Sequence, residues 1–370
     1  MCDIGTSKKV LFICATSKMV LHFRSDLIKR FQAEGCAVSI IAFDDKYGVQ
    51  IKNTLGVDFF CVNDNNRGLN PLKVLTLKKR YLKIIKEVKP DLVFTFMMKP
   101  NIYGVRAAKK AGIKRIFSMV EGLGDVFIYN SFKWKLIRFV VSNGYRKSFR
   151  FAEKVFFLND DDKGEFIKRK LIKEEQCERI NGIGVNLSEF EYKPLKNTNT
   201  FLMVARMIET KGVLEYCKAA RIVKQKYPHA VFKYIGEEGS IKISDIQEYI
   251  DDKSIEYLGE TDDVRPYLED CAVFVLPSYR EGVPISVSEA AAMGRALIVT
   301  NVPGCKETVV DGYNGYLVEK DNVEELAAKM RKLLENNELI EKMGKNSHTL
   351  AENKFNSNKI NNQILRKVNV

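Results

Sequence analysis

Short apolar, β-branched runs alternate with segments of helical periodicity along almost the whole chain, and this alternation limits the possible folds most. The first series of runs covers residues 9–15, 37–43, 58–62, 91–96, 114–119 and 154–158. Helical periodicity separates them at residues 20–34, 71–88 and 102–111. Repeated β-α-β units of this kind form a parallel sheet that is covered by helices.

The alternation stops near residues 181–200, in a stretch rich in Gly, Asn, Ser, Pro and Lys, and then starts again. The second series of apolar runs covers residues 200–205, 230–235, 254–258, 272–276 and 296–300, with helical segments at 212–226 and 284–293. A chain of 370 residues is also longer than one hydrophobic core usually supports. We therefore predict an α/β protein with two doubly wound, Rossmann-like domains, residues 1–195 and 196–350, facing across a cleft.

Composition excludes several classes of protein. No apolar run approaches the roughly 20 residues that a membrane-spanning helix needs, and no signal peptide is recognisable, so we expect a cytoplasmic protein. The eight cysteines are scattered without a C-x-x-C pair, and the chain has three histidines. This pattern favours buried thiols, and we expect neither a metal site nor a bound cofactor.

Charge is distributed unevenly between the two halves. Residues 1–195 contain 36 Lys and Arg against 21 Asp and Glu, whereas residues 196–370 contain 24 against 26. The basic half predicts an anionic partner, which could be nucleic acid, a phospholipid surface or a phosphorylated substrate. No helix-turn-helix, ribonucleoprotein or zinc-finger signature accompanies the charge, so we expect no nucleic-acid partner.

The most informative stretch of sequence is residues 277–318. A buried strand is predicted to run into a polar turn with Glu281 and Gly282, and Pro284 suits the first position of the helix that follows. Helix N-termini attract anions, and Glu289 lies inside the same helix. The two carboxylates could bind a sugar and a ribose diol. Alternatively, Glu281 is a solvated loop residue and Glu289 an acid that the helix dipole favours.

The spacing of Glu281 and Glu289, together with the later sequences VPGCKE and DGYNGYLV, resembles the donor-binding half of the family-four retaining glycosyltransferases. This resemblance implies the two-domain GT-B fold. It also implies that Glu281, Gly282, Val283 and Pro284 contact the donor sugar, and that Glu289 binds the ribose hydroxyls.

A second match lies at residues 201–212, whose sequence FLMVARMIETKG resembles the family's diphosphate-binding turn. The resemblance implies that Arg206 and Lys211 bind the donor diphosphate. Two cations at the carboxyl end of a strand can neutralise a departing diphosphate, whereas an isolated basic pair is usually a surface feature.

In the first half, PDLVFTFMMKPNIYG (residues 90–104) and VEGLGDVF (120–127) resemble a branch of the family that acts on lipid-linked saccharides in bacterial surface-glycan assembly. Two departures from the family stand out. Thr16, Ser17 and Lys18 replace a common glycine pair after the first strand, and Glu121 stands near a position where many members have histidine. His22 lies at the start of a predicted helix, where a solvated or partly buried histidine is the commoner outcome, and Arg24 could face a phosphate.

Residues 130–154 combine seven basic residues with many apolar ones and contain a single acid, Glu153. Such a segment is typical of a helix on an anionic membrane surface, and Lys133, Lys135 and Arg138 are candidates for lipid contact. The alternative is a core-packing helix whose polar face is basic.

Taken together, the residues and the resemblance predict a retaining, metal-independent glycosyltransferase. It would transfer a sugar from a nucleotide diphosphate donor, a uridine nucleotide by resemblance, to a polyprenyl-diphosphate-linked saccharide at the inner face of the membrane. The resemblance also implies that a C-terminal helix at 351–370 packs back on the first domain. The alternatives are a nucleotide-sugar epimerase of the same architecture and a non-catalytic lipid-binding scaffold.

Overall fold

Seven parallel strands form the sheet of the first half of the chain in the computed structural model, which describes residues 7–64, 71–129 and 131–370. The strands are β1 (Lys9–Ile13), β2 (Ala37–Ala42), β3 (Asp58–Cys61), β4 (Leu92–Phe96), β5 (Arg115–Val120), β6 (Lys154–Phe157) and β7 (Cys177–Arg179). Their order in the sheet is β3-β2-β1-β4-β5-β6-β7, so the direction of winding reverses between β1 and β4.

Helices follow almost every strand of this sheet. They are α1 (Ser17–Phe23), α2 (Ser25–Ala33), α3 (Gly48–Leu55), α4 (Pro71–Val88), α5 (Val105–Lys110), α6 (Asp125–Ile128), α7 (Phe132–Phe149) and α8 (Asp160–Lys168). β4 is buried along its whole length, which explains its nearly continuous apolar sequence. A parallel strand with helices on both faces of its sheet has no solvent side.

Six parallel strands form the sheet of the second half in the order β10-β9-β8-β11-β12-β13. The strands are β8 (Thr200–Val204), β9 (Val231–Ile235), β10 (Glu256–Tyr257), β11 (Val273–Leu276), β12 (Ala296–Thr300) and β13 (Gly315–Val318). The helices are α9 (Val213–Lys226), α10 (Ile243–Asp251), α11 (Arg265–Asp270), α12 (Ile285–Ala292), α13 (Val323–Leu334) and α14 (Asn337–Leu350). Here the winding reverses between β8 and β11.

The chain divides into one unit of residues 1–180 and 357–370 and a second unit of residues 181–356. Residues 181–195, assigned to the first domain from the sequence, group with the second unit. The backbone N–H of Lys193, for example, donates to the carbonyl of Met293 (3.2 Å). Residues 351–356 also belong to the second unit. The last helix, α15 (Ser357–Val368), packs in the first unit, where the Ser357 hydroxyl donates to Asp26 (2.9 Å).

Two predicted helices are interrupted. The segment 20–34 bends at Arg24, where α1 ends and α2 begins. The Ser25 hydroxyl there donates to the carbonyl of Leu21 (2.5 Å), a bond that often bends helices. The segment 102–111 starts with a π-helical turn at Pro100–Gly104 before α5.

Candidate active site

Lys211 and Glu281 lie at the carboxyl edge of the second sheet, on either side of the point where its winding reverses. Lys211 ends a short helical turn (Glu209–Lys211) after β8, and Glu281 follows β11. β8 and β11 are neighbouring parallel strands, so both loops start from the same edge. Ligands of doubly wound sheets bind at such a reversal, outside the carboxyl ends of the strands.

The two side chains form an ion pair. Lys211 Nζ donates to Glu281 Oε1 at 2.5 Å, and the side chains are 22% and 12% exposed. An ammonium group has three N–H donors, so Lys211 can hold the carboxylate of Glu281 and still donate to a ligand oxygen. The structure thus joins two predicted site residues that are seventy positions apart in the sequence.

Backbone contacts hold these two loops in place. The N–H of Tyr279 donates to the carbonyl of Thr210 (2.8 Å), and the N–H of Glu281 donates to the carbonyl of Pro303 (3.0 Å). Gly304 has a φ of +84°, and a Cβ atom at this position would lie 2.3 Å from the carbonyl oxygen of Glu281. Only glycine therefore allows this close approach of the loop after β12 to the loop after β11.

The loop residues after Glu281 lead directly into α12. Gly282, Val283 and Pro284 are buried, and Ile285 is the first helical residue. Pro284 is therefore the N-cap, whereas the sequence suggested that it is the first helical residue. The first backbone N–H groups of α12 have no partner within the helix, and Glu281 lies just before them.

Glu289 lies on α12 in a partly buried position. Desolvation raises the pKa of its carboxyl group from 4.5 to about 7, and the negative charge of Asp263 adds to this shift. Hydrogen bonds from hydroxyl donors stabilise the charged form of such a desolvated carboxylate, and the two hydroxyl groups of a ribose diol would supply them.

We expect Glu289 to make the stability of the ligand-free protein depend on pH. Because its pKa is higher in the folded state, the unfolded chain ionises first, and the stability decreases as pH rises from about 4.5 to about 7. Glu289→Gln should remove this decrease, a relative gain on the order of 1–3 kcal/mol at pH 8. Urea unfolding at pH 4.5 and pH 8 measures it. Parallel pH profiles of wild type and variant would contradict the assignment.

Arg206, the other predicted diphosphate ligand, follows β8 at the same edge and is exposed. Its side chain forms no ion pair with any residue that the structure describes. The structure therefore places Arg206 near the edge of the sheet but does not join it to the pair of Lys211 and Glu281.

Sequence reasoning missed a second polar contact at this edge. The Tyr279 hydroxyl donates to Glu215 on α9 (2.8 Å), which links the loop after β11 to the helix after β8. Burial and the neighbouring Glu215 carboxylate raise the pKa of Tyr279. The only sequence signal was the position of Tyr279 within the 277–318 stretch.

The carboxyl edge of the first sheet contains two buried ion pairs. Arg24 is 2% exposed, pairs with Glu121 after β5 and lies over the ring of Phe96 (4.7 Å). Arg24 is therefore not at the surface, contrary to the suggestion that it could face a phosphate, and burial lowers its pKa to about 10. Lys99, after β4, is 4% exposed and donates to Asp64 after β3 (2.8 Å).

A buried hydrogen-bond network lies beneath Lys99. The Thr95 hydroxyl donates to Asn101 Oδ1 (2.7 Å), and Asn101 Nδ2 donates to the carbonyl of Met119 (2.8 Å). This network fixes the turn of the MMKPNIYG sequence. Lys99 and Asn101 lie in the motif of residues 90–104, from which no role was predicted for either residue.

Two backbone N–H groups in the first turn of α1, those of Ser17 and Met19, have side-chain partners. The N–H of Ser17 donates to the Asp44 carboxylate (3.2 Å), and the Ser17 hydroxyl also donates to Asp44. Thr16 caps α1 by accepting from the N–H of Met19 (3.3 Å). His22 is exposed, with its ring 5.9 Å from that of Tyr47. The side chains of Asp44 and Thr16 therefore bind two of the backbone donors at the N-terminus of α1.

Two family models match the chain. Residues 186–349 match "Glycosyl transferases group 1", and residues 9–159 match "Glycosyl transferase 4-like". The second range contains β1 to β6 of the first sheet, and the first range contains all six strands of the second sheet. Residues 160–185, between the two matches, include α8 and β7.

Named relatives extend over most of the chain. N,N'-diacetylbacillosaminyl-diphospho-undecaprenol alpha-1,3-N-acetylgalactosaminyltransferase of Campylobacter jejuni is 33% identical over 353 residues, which are 92% of this chain and 93% of the relative. UDP-Gal:alpha-D-GlcNAc-diphosphoundecaprenol alpha-1,3-galactosyltransferase of Escherichia coli is 26% identical over 291 residues, 74% of each chain.

Solved structures show the same fold. HepE of Anabaena, in complex with UDP-glucose, superposes with a TM-score of 0.81 at 17% identity and covers 98% of this chain and 99% of its own. A glycosyltransferase of Rickettsia africae has a TM-score of 0.77 at 22% identity, with 98% of each chain covered. The expected fold class, two Rossmann-like sheets of the GT-B type, is confirmed. The chain is a glycosyltransferase and belongs to the group 1, GT4-like family.

Proposed function

We propose that this glycosyltransferase transfers a sugar from a uridine diphosphate donor to a polyprenyl-diphosphate-linked saccharide, with retention of the anomeric configuration. The observation that carries the proposal is the ion pair of Lys211 and Glu281 at the reversal point of the second sheet. It places a cation and a carboxylate together where a phosphate and a sugar hydroxyl can both be bound.

The proposed donor follows from the second unit and from its relatives. Glu289 provides a carboxylate for a ribose diol on the helix that begins after Glu281. The E. coli relative is named for UDP-Gal, and the HepE structure contains UDP-glucose. We therefore assign the donor pocket to a uridine nucleotide.

In the proposed reaction, the bond between the anomeric carbon and the β-phosphate oxygen breaks as the acceptor oxygen forms a bond to the same carbon. The acceptor hydroxyl attacks from the face that the diphosphate leaves, and its proton passes to a phosphate oxygen of the leaving group. Lys211 and Arg206 offset the negative charge that develops on the diphosphate, which is the largest contribution a preorganised site usually makes. These cations supply the positive charge without a metal ion in this proposal.

Glu281 binds the donor sugar in the proposed complex. Its carboxylate accepts from sugar hydroxyl groups, while Lys211 holds the carboxylate in place through one of its three donors. The backbone of Gly282, Val283 and Pro284 provides the next contacts along the sugar.

The proposed acceptor follows from the relatives, since both are named for saccharides on undecaprenol diphosphate. Such a lipid lies in a membrane, so we propose that the enzyme works in the cytoplasm, on the inner face of an anionic membrane. Among the described residues, no helix is both long and apolar enough to cross a bilayer. The excess of basic residues in the first half of the chain suits attachment to anionic lipid.

A donor and acceptor panel tests this function. We expect transfer from UDP-N-acetylgalactosamine or UDP-galactose to an undecaprenyl-diphosphate-linked monosaccharide, and an α-linked product from the α-configured donor by NMR. A β-linked product would overturn retention. Conversion of the nucleotide sugar without any acceptor would indicate an epimerase, and no calorimetric binding of any nucleotide sugar would indicate a non-catalytic scaffold.

A further inference from the structure

One face of α7 exposes a row of large apolar side chains. Phe132, Leu136, Phe139 and Val140 are 84%, 58%, 66% and 51% exposed. Their spacing of four, three and one residues places them on one side of a helix. Half of the exposed large apolar side chains among the described residues are on this single face. Contiguous exposure of this kind marks an interaction surface.

The opposite face of α7 is fixed in the core of the first unit. Val141, Tyr145 and Phe149 are buried there, and Trp134 and Ile137 pack against the same cluster. A Cβ atom on Gly144 would lie 2.9 Å from Ile102, so the helix lies close to the π-helical turn after β4. The apolar row cannot turn inward without disrupting this packing, which makes its exposure a property of the folded protein.

Basic residues surround the apolar row. Lys133 and Lys135 are exposed on its two sides, and Lys147 and Arg150 are exposed on the same face towards the end of the helix. α7 contains no acidic residue. An apolar row bordered by lysines, on a helix whose opposite face packs in the core, is the arrangement of a helix that lies in the plane of an anionic lipid surface.

Arg138 does not belong to this surface, although the sequence suggested it as a lipid contact. Its Nε donates to the carbonyl of Val126 (2.7 Å), and its guanidinium also donates to the carbonyl of Tyr129. Arg138 therefore ties α7 to α6 and to Tyr129, the residue that follows α6. Trp134 adds to this attachment by stacking on Tyr129, with ring centroids 5.5 Å apart.

We infer that the outer face of α7 inserts into the headgroup region of an anionic bilayer, with Phe132, Leu136 and Phe139 among the acyl chains. Lys133, Lys135, Lys147 and Arg150 contact lipid phosphates around them. This inference deepens the proposed function, since it names the surface by which the enzyme reaches a lipid-linked acceptor. The enzyme would then bind the membrane by inserting defined apolar side chains, and not by electrostatic adsorption alone.

Vesicle sedimentation tests the inference without any sugar transfer. With vesicles of phosphatidylglycerol and phosphatidylethanolamine at 0.15 M salt, the variant Phe132→Ser/Leu136→Ser/Phe139→Ser should bind at least tenfold more weakly than wild type. The matched control is Val49→Ser/Val310→Ser, which removes two other exposed apolar side chains (74% and 53% exposed) and should bind like wild type. Wild-type binding by the triple variant would overturn the inference.

Salt and fluorescence distinguish insertion from adsorption. Lys133→Ser/Lys135→Ser should weaken binding at 0.15 M salt, whereas part of the wild-type binding should persist at 1 M salt because apolar burial is not screened. The single variant Phe139→Trp should show blue-shifted emission on vesicles and quenching by brominated lipids. Complete loss of wild-type binding at 1 M salt, or an emission spectrum of the Phe139→Trp variant that vesicles do not shift, would contradict insertion.

Two further measurements, sugar transfer with different acceptors and the oligomeric state, separate this inference from the proposed function and from self-association. Transfer to a short-chain, water-soluble acceptor should be equal in wild type and triple variant, whereas transfer to a vesicle-embedded acceptor should decrease at least tenfold in the variant. If the protein binds vesicles through α7 but shows no transferase activity, only the proposed function is contradicted. A lipid-free dimer that the triple variant abolishes would assign α7 to a second copy of the chain instead.

Discussion

Glu281→Ala will lower kcat for sugar transfer by about 10²–10³-fold, a loss typical of removing one preorganised charged contact in an active site. The carboxylate would no longer bind the donor sugar, and Lys211 would lose the partner that positions its ammonium group. The measurement is kcat and KM for the preferred UDP-sugar with a lipid-linked acceptor. Glu256→Ala, which removes an exposed carboxylate on β10, is the matched control and should retain activity.

The double variant shows whether Glu281 and Lys211 act as a unit. Because the two side chains are in contact, we expect Lys211→Ala to cause a loss of similar size and the double variant to be little worse than either single one. Strictly additive losses would mean that the two residues act independently. Normal turnover in both single variants would remove the donor-site assignment.

Gly304→Ala will destabilise the protein by about 2–4 kcal/mol, which combines the strain of a left-handed backbone with steric overlap. Gly304 has a φ of +84°, and the added methyl group would meet the carbonyl of Glu281 at 2.3 Å. Part of the loss should appear in kcat, since the loop that carries Glu281 must move. Urea unfolding and steady-state kinetics measure the two effects.

Gly312→Ala is the matched control for this substitution. Gly312 has a similar φ of +75°, but a Cβ atom there would have no neighbour within 4 Å. We expect only the backbone strain, about 1 kcal/mol, and normal kcat. Equal losses of stability in the two variants would show that contact with the Glu281 loop contributes nothing.

The two sheets use their carboxyl edges differently. In the second sheet, the ion pair of Lys211 and Glu281 is partly exposed, as the proposed donor site requires. In the first sheet, the pairs Arg24–Glu121 and Lys99–Asp64 are more deeply buried. Removing one partner of a buried pair leaves an uncompensated charge, so these first-unit pairs primarily hold the loops in place.

Local patterns in the sequence predicted much of the fold. The helical periodicity of residues 71–88 matches α4 residue for residue, and the apolar run at 296–300 matches β12. The reason is that a long amphipathic period or a fully buried strand is encoded by neighbouring residues. The three-residue strand β7 was missed, since so short a strand has no detectable period.

Interruptions and boundaries depended on contacts that no local pattern contains. At the bend, the Ser25 hydroxyl donates to the carbonyl of Leu21, and Arg24 forms a buried ion pair with Glu121, ninety-seven positions away. Residues 181–195 follow the second unit because individual backbone bonds, such as that of Lys193 to Met293, tie them there. Irregular segments have no periodicity from which such bonds can be inferred.

Periodicity and composition predicted the alternating α/β architecture and the basic first half, and the family resemblance gave the candidate donor residues Arg206, Lys211, Glu281 and Glu289. The three-dimensional contacts were needed to see that Lys211 pairs with Glu281, that Arg206 lies apart from this pair, and that Arg138 bonds to backbone carbonyls of the fold. The physical reason is that strand order in the sheet, not distance along the chain, determines which loops meet. Basic side chains that look alike in the sequence therefore have different roles, because each makes different contacts in the folded protein.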